Sequence, residues 1–271
     1  MERFSDQQKK EILVRSMASL RPYLATILGE FEDGTIIHVG SGLVCEIVDP
    51  HIITAEHVLS LASDPGSKEH FVGKRYSTEL IQHGMSITFS QAMSKFPIDL
   101  ARFEIDSAIV NEFKQPVLDI DRLPRDQELD PEGLYLLLGL PGTKARTFST
   151  QVSVTVYAAL TTLADITQDD FDHRHIGFAY QQYGWIDQDG NPALPEDPHG
   201  MSGSAVWSLN IPANYLDWEP GQATVAGIAI DIQNDKKVVV ATRVKEVNDF
   251  AFPDNSLVEF GLEAGFIIPI Q

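Results

Sequence analysis

The chain has 271 residues, with 20 lysines and arginines against 39 aspartates and glutamates and a formal charge of −19 at pH 7. That excess of negative charge repels phosphate backbones and anionic lipid surfaces, which argues against nucleic acid or a membrane as a partner. A single cysteine, Cys45, excludes an intrachain disulfide, and with no apolar signal core in Met1 to Lys10 and no run of about eighteen apolar residues, the expectation is a reducing, cytoplasmic location.

Ser5-Asp6 followed by Gln7 to Leu20 predicts a helix start and an amphipathic helix, with Ile12, Leu13, Met17 and Leu20 on one stripe. After Arg21-Pro22, the segments Leu24 to Phe31, Thr35 to Val48 and Ile52 to Ala55 alternate or run apolar, and Asp33-Gly34 between the first two is a hairpin signal. Leu61 to Ser67 reads as a loop. Phe71 to Tyr76, Met85 to Phe89 and Leu100 to Ile105 continue the strand pattern. Asn111 to Pro131 has no clean period and holds prolines at 116, 124 and 131, so it reads as a connector to a second lobe.

That second lobe opens with Leu134 to Leu140, an apolar strand ending at Pro141-Gly142. Five further strand candidates follow: Ser153 to Leu163, His175 to Tyr183, Ser204 to Leu209, Thr224 to Ile232 and Lys237 to Arg243. The apolar end of the tail from Pro253 to Gln271 is expected to pack. The predicted division is an N-terminal helical extension over 1–22, a first β unit over 23–125, and a second β unit with the C-terminal segment and tail over 126–271.

Three stretches carry the chemistry. Ile52 to Leu59 is an apolar run containing Thr54-Ala55-Glu56-His57. Pro97-Ile98-Asp99-Leu100-Ala101 sets an aspartate at the head of a strand. His199-Gly200-Met201-Ser202-Gly203-Ser204 is a small-residue turn entering the strand Ala205-Val206-Trp207. A serine hydroxyl needs a base in reach and donors aimed at the oxygen that becomes negative, and glycines beside Ser202 leave room for backbone amides to converge. Each stretch alone has a bland reading: a core histidine, a strand-start cap, a tight turn.

Together, in the order His, Asp, Ser, they resemble the Thr-Ala-x-His, Asp-x-Ala and Gly-x-Ser-Gly blocks of the trypsin-like (chymotrypsin-fold) serine peptidases. The α/β hydrolases instead place the serine first and the histidine last. The resemblance implies an all-β fold of two six-stranded antiparallel barrels, flanked here by the N-terminal and C-terminal helices. It also implies that His57 takes a proton from Ser202, that Asp99 orients the imidazole, and that the amides of Gly200 and Ser202 bind the oxyanion. His38 to Val44 resembles the family's Gly-Ser-Gly strand, whose glycines let chains cross closely. The strand Gly227 to Ile232, including Ile230 and Ile232, and the loop before the serine would flank a substrate pocket. Glu196 is placed there to select a basic side chain, or sits in a solvated acidic loop. His199 edges the same pocket, or is exposed.

The implied activity is a serine endopeptidase of narrow specificity or under a regulatory protein partner, acting on protein or peptide substrates with no cofactor and no metal. The alternatives are a peptide-binding module of the same fold with little turnover, and an esterase-like acyl hydrolase. His173 and His175 form a His-x-His pair without a third ligand, and this chemistry needs no metal. Two departures stand out. Met201 replaces the aspartate that the animal zymogen branch pairs with a new N-terminus, which implies a hole preformed or set by a partner. Ser204 occupies a position that is glycine in the family block and reads as structural.

Overall fold

The computed structural model describes residues 3–32, 34–60, 71–80, 85–86, 91–93, 98–125, 127–141, 146–148, 151–153, 155–166, 171–180, 184–193, 200–233 and 237–251. The first element is helix α1 (Asp6–Leu20), and its start follows from a reciprocal cap. The Gln8 amide donates to Ser5 Oγ at 3.3 Å, and the Ser5 amide donates to Gln8 Oε1 at 2.9 Å. The stripe expected from its spacing, Ile12, Leu13, Met17 and Leu20, is buried. Pro22 sits in the 3-10 turn Arg21–Tyr23 that follows.

Seven strands make the first sheet: β1 (Leu24–Phe31), β2 (Ile36–Glu46), β3 (Pro50–Ala55), β4 (Phe71–Thr78), β5 (Met85–Ser86), β6 (Gln91–Met93) and β7 (Leu100–Glu104). Their order is β5-β4-β1-β2-β3-β7-β6, and every pairing is antiparallel. The short helix α2 (Glu56–Ser60) leaves the end of β3. Ahead of the stretch expected as a connector, and running into its first three residues, the structure forms helix α3 (Ser107–Phe113), capped by Asp106.

The second half contributes β8 (Tyr135–Gly139), the small hairpin β9 (Arg146–Phe148) with β10 (Gln151–Ser153), β11 (Tyr157–Thr161), β12 (Leu163–Ala164), β13 (His175–Ala179), β14 (Ile186–Asp187), β15 (Ala205–Ser208), β16 (Thr224–Gln233) and β17 (Val238–Arg243). Apart from the hairpin, these form an eight-stranded antiparallel sheet in the order β12-β13-β17-β16-β15-β8-β11-β14. Helix α4 (Val244–Ala251) closes the described chain. The fold is therefore mostly β, with antiparallel sheets, an N-terminal helix and a short C-terminal helix. Among the described residues no pairing joins the end strands of either large sheet. The expected loop at 61–67 and the tail from 253 lie outside the described residues.

The core explains how the halves are joined. One apolar cluster contains Ile12, Leu13, Met17 and Leu20 of α1, Leu43, Cys45 and Ile53 of the first sheet, and Leu136, Leu138 and Trp207 of the second. Helix α1 packs chiefly on β8 and β11 of the second sheet, and through the shared cluster its apolar stripe joins the core that links the two sheets. A second cluster also crosses the seam, packing Ile27, Val44 and Phe103 with Ile230, Val238 and Val240. A third lies within the second sheet and includes Tyr135, Phe178, Met201 and Val206. No helix among the described residues is long and apolar enough to cross a membrane.

Candidate active site

His57 is the second residue of α2, just past the end of β3, and Asp99 immediately precedes β7, the neighbour of β3 in the sheet. The register Ala55↔Leu100 brings the two strand ends level. Asp99 then holds the histidine twice: the His57 backbone N–H donates to Oδ1 at 2.9 Å, and Nδ1 lies 2.7 Å from Oδ2. The Asp99 carbonyl also accepts from the Glu56 amide at 3.1 Å. To make these contacts Asp99 adopts a φ of 51°, in the left-handed region that aspartate tolerates better than most side chains. A carboxylate is an acceptor only, so the contact assigns the Nδ1 position a proton, and in the corresponding neutral tautomer Nε2 is the basic nitrogen.

Lys74 of β4 closes the other end of α2, donating from Nζ to the Val58 carbonyl at 3.0 Å. Burial lowers its pKa to about 8, against the opposing pull of the Glu56 carboxylate.

The stretch around Ser202 is shaped by glycine at two positions, Gly200 with a φ of 95° and Gly203 with a φ of 87°. A Cβ on Gly203 would lie 2.0 Å from the Ser41 carbonyl oxygen and 2.2 Å from Thr54 Oγ1, so no side chain fits there. Its amide donates to the Ala229 carbonyl at 2.7 Å, and Ala229 returns a bond to the Ser204 carbonyl at 2.9 Å. Met201 is buried in the third apolar cluster, and Ser204 Oγ donates to its carbonyl at 2.6 Å. Among the described residues, no acceptor is paired with the amide of Gly200 or of Ser202.

Ser41 of β2 ties this turn to the first sheet. Its amide donates to the Ser202 carbonyl at 2.8 Å, its hydroxyl donates to the Gly200 carbonyl at 2.7 Å, and its own carbonyl accepts from Thr54 Oγ1 at 2.6 Å. Thr54 stands three residues before His57 on β3. A separate tie anchors the Asp99 segment, where Thr242 Oγ1 of β17 donates to the Ile98 carbonyl at 2.5 Å.

His57 and Asp99 are therefore in direct contact. Ser202 reaches the same region through Ser41 and Thr54, and a hydrogen bond from its hydroxyl to the His57 ring is not among the contacts of the described residues. Ile230 is buried in the second cluster, while Ile232 is partly buried against the third. Glu196 and His199 lie outside the described residues. His175 is buried on β13, its Nδ1 accepting from the Asp172 amide at 3.1 Å. No group of three or more His, Cys, Asp or Glu among the described residues is placed to hold a metal ion. Sequence reasoning singled out the glycines beside Ser41 but missed Ser41 itself, and gave no role to Thr54, Thr242 or Lys74. Ser41 is itself the serine of the Gly40-Ser41-Gly42 run, and that run was the available signal.

No protein-family model matches the chain, and no curated protein is significantly similar to it. Among solved structures, one described as "Structure of GrC" is similar with a TM-score of 0.53 at 14% identity, over 88% of this chain and 95% of that one. Another, described as the crystal structure of Rv3671c protease from M. tuberculosis in its active form, gives 0.45 at 12% identity, over 94% of this chain and 86% of that one. The first likeness supports a trypsin-like fold at low sequence identity.

Proposed function

We propose that this chain is a serine endopeptidase in which Ser202 is the nucleophile, His57 the general base and acid, and Asp99 the residue that orients the imidazole. Ser202 Oγ attacks the carbonyl carbon of the scissile peptide bond while His57 Nε2 takes its proton, and the new oxyanion is held by the amides of Gly200 and Ser202. Collapse breaks the C–N bond, and the same imidazole gives its proton to the departing amine, leaving an acyl group on Ser202. Water, deprotonated by His57, then releases the acid. Hydrogen bonds of this kind are often long before substrate binds, so the reading requires the hydroxyl and Nε2 to close in the complex.

The observation that carries this reading is the 2.7 Å contact between His57 Nδ1 and Asp99 Oδ2, because it presents Nε2 as a base. The reading extends to two six-stranded barrels meeting at the seam, divided near residue 126, with a pocket lined by Glu196, His199, Ile230 and Ile232. It also extends to protein or peptide substrates, a cytoplasmic location, and cleavage kept narrow by specificity or by a regulatory partner. A fluorophosphonate probe tests it: covalent labelling of the native protein that disappears in Ser202→Ala is the expected result. Absence of labelling would favour the peptide-binding module, and cleavage of a peptide library separates a peptidase from an esterase.

A further inference from the structure

We infer that Ser41 is a positioning residue whose side chain sets the geometry of the oxyanion site, an inference that rests on the peptidase reading above. Ser41 is fully buried, and it grips both ends of the three-residue segment that reading assigns to the oxyanion. At one end its amide holds the Ser202 carbonyl at 2.8 Å, and at the other its hydroxyl holds the Gly200 carbonyl at 2.7 Å. A peptide group is planar, so fixing the Gly200 carbonyl fixes the plane of the Gly200–Met201 unit, and fixing the Ser202 carbonyl fixes the next unit but one. Between them Met201 is immobilised by burial.

The segment needs this grip because Gly200, at a φ of 95°, has no Cβ to restrict it. Without a partner for its carbonyl, the Gly200–Met201 peptide is free to rotate and disturb the Gly200 amide. The backbone bond to Ser202 is available to any residue at position 41, whereas the bond to Gly200 needs a hydroxyl there. The side chain therefore contributes something that the strand alone does not. Donors aimed in advance at developing charge act mainly on turnover and little on ground-state binding.

The test uses the full chain, with a fluorophosphonate probe to count active sites and a cleaved peptide substrate for steady-state kinetics. Ser41→Ala removes only the hydroxyl; Ser41→Gly removes the Cβ with it and serves if the alanine variant does not fold. Loss of a whole oxyanion donor costs on the order of 10²–10³ in turnover, so a misaimed donor is expected to lower kcat about 10- to 100-fold with KM within about twofold. Thr54→Val, which frees the Ser41 carbonyl but leaves both grips on the turn, is expected to keep kcat within about threefold. A labelled native protein whose Ser41→Ala variant keeps full kcat overturns the inference and leaves the peptidase reading intact. So does a Thr54→Val variant as impaired as Ser41→Ala, which would point to general loosening of the seam. A native protein that takes no label overturns both.

Discussion

The carboxylate of Asp99 meets His57 at its backbone amide (2.9 Å) and at its ring (2.7 Å), so one side chain sets both the start of α2 and the tilt of the imidazole. Replacing it by asparagine tests these roles separately. Asp99→Asn retains an oxygen for the His57 amide but offers an NH₂ or a neutral oxygen to Nδ1, losing the ionic partner of a protonated ring. Under the peptidase reading, kcat is expected to fall by roughly 10⁴-fold, the size seen for this substitution in a well-studied triad. Circular dichroism melting is expected to shift by only a few degrees, which separates lost chemistry from lost folding.

Gly203 presses against two polar atoms of the first sheet, Ser41 O and Thr54 Oγ1. Gly203→Ala is expected to force the sheets apart locally, costing about 1–3 kcal/mol for the overpacking, with further strain from the left-handed φ. Urea titration reads the stability loss. Probe labelling at Ser202 is expected to be lost even at temperatures where the variant remains folded.

His38 on β2 is buried, and neither ring nitrogen has a hydrogen-bond partner among the described residues. Burial pushes its pKa down from 6.5 to about 4, against a smaller opposing pull from the Gly40 backbone beside the ring. Between those values the unfolded chain binds a proton that the folded one does not, so stability present above pH 6.5 is lost as pH falls toward 4. The slope from this residue approaches about 1.4 kcal/mol per pH unit. His38→Phe is expected to flatten the dependence in that window. A set of denaturant midpoints from pH 7 to pH 4 checks it, and an unchanged slope would exclude His38 as the source.

Helix α1 offers a comparison of packing with charge. Ile12 is fully buried in the seam cluster, so Ile12→Ala is expected to cost about 2–5 kcal/mol. Arg15 pairs with Glu219 at 3.0 Å and lies 5.2 Å over the Trp218 ring, but it is partly exposed. Its replacement by alanine is expected to cost no more than about 1 kcal/mol. Equilibrium unfolding of the two variants provides the measurement.

These residues also show what could be read beforehand. The α1 stripe and its Ser5 cap were legible because both signals are local, and the long strands β1, β2, β16 and β17 because their apolar patterns run for six residues or more. Helix α3 was not, because its apolar face of Ile109, Val110 and Phe113 spans only two turns, too short to stand out as a period; Asp106, its cap, was the other sign. Strands β12 and β14 have two residues each, too few to show alternation. His57 and Asp99 were legible as a pair through their neighbouring motifs. The grip of Ser41 on Gly200 joins positions 159 apart, and nothing local announces it.

The placement of α1 has a consequence for biosynthesis. The helix is synthesised well before its partners, for Arg15 meets Trp218, 203 positions later, and the apolar stripe closes over β8 and β11. At the ~5–20 residues per second typical of translation, the helix must wait about 10–40 s for the chain that covers it. During that interval its greasy side is bare, so a nascent chain stalled before Trp218 is a natural client for a chaperone, and the stripe is covered only once β8, β11 and Trp218 have all emerged.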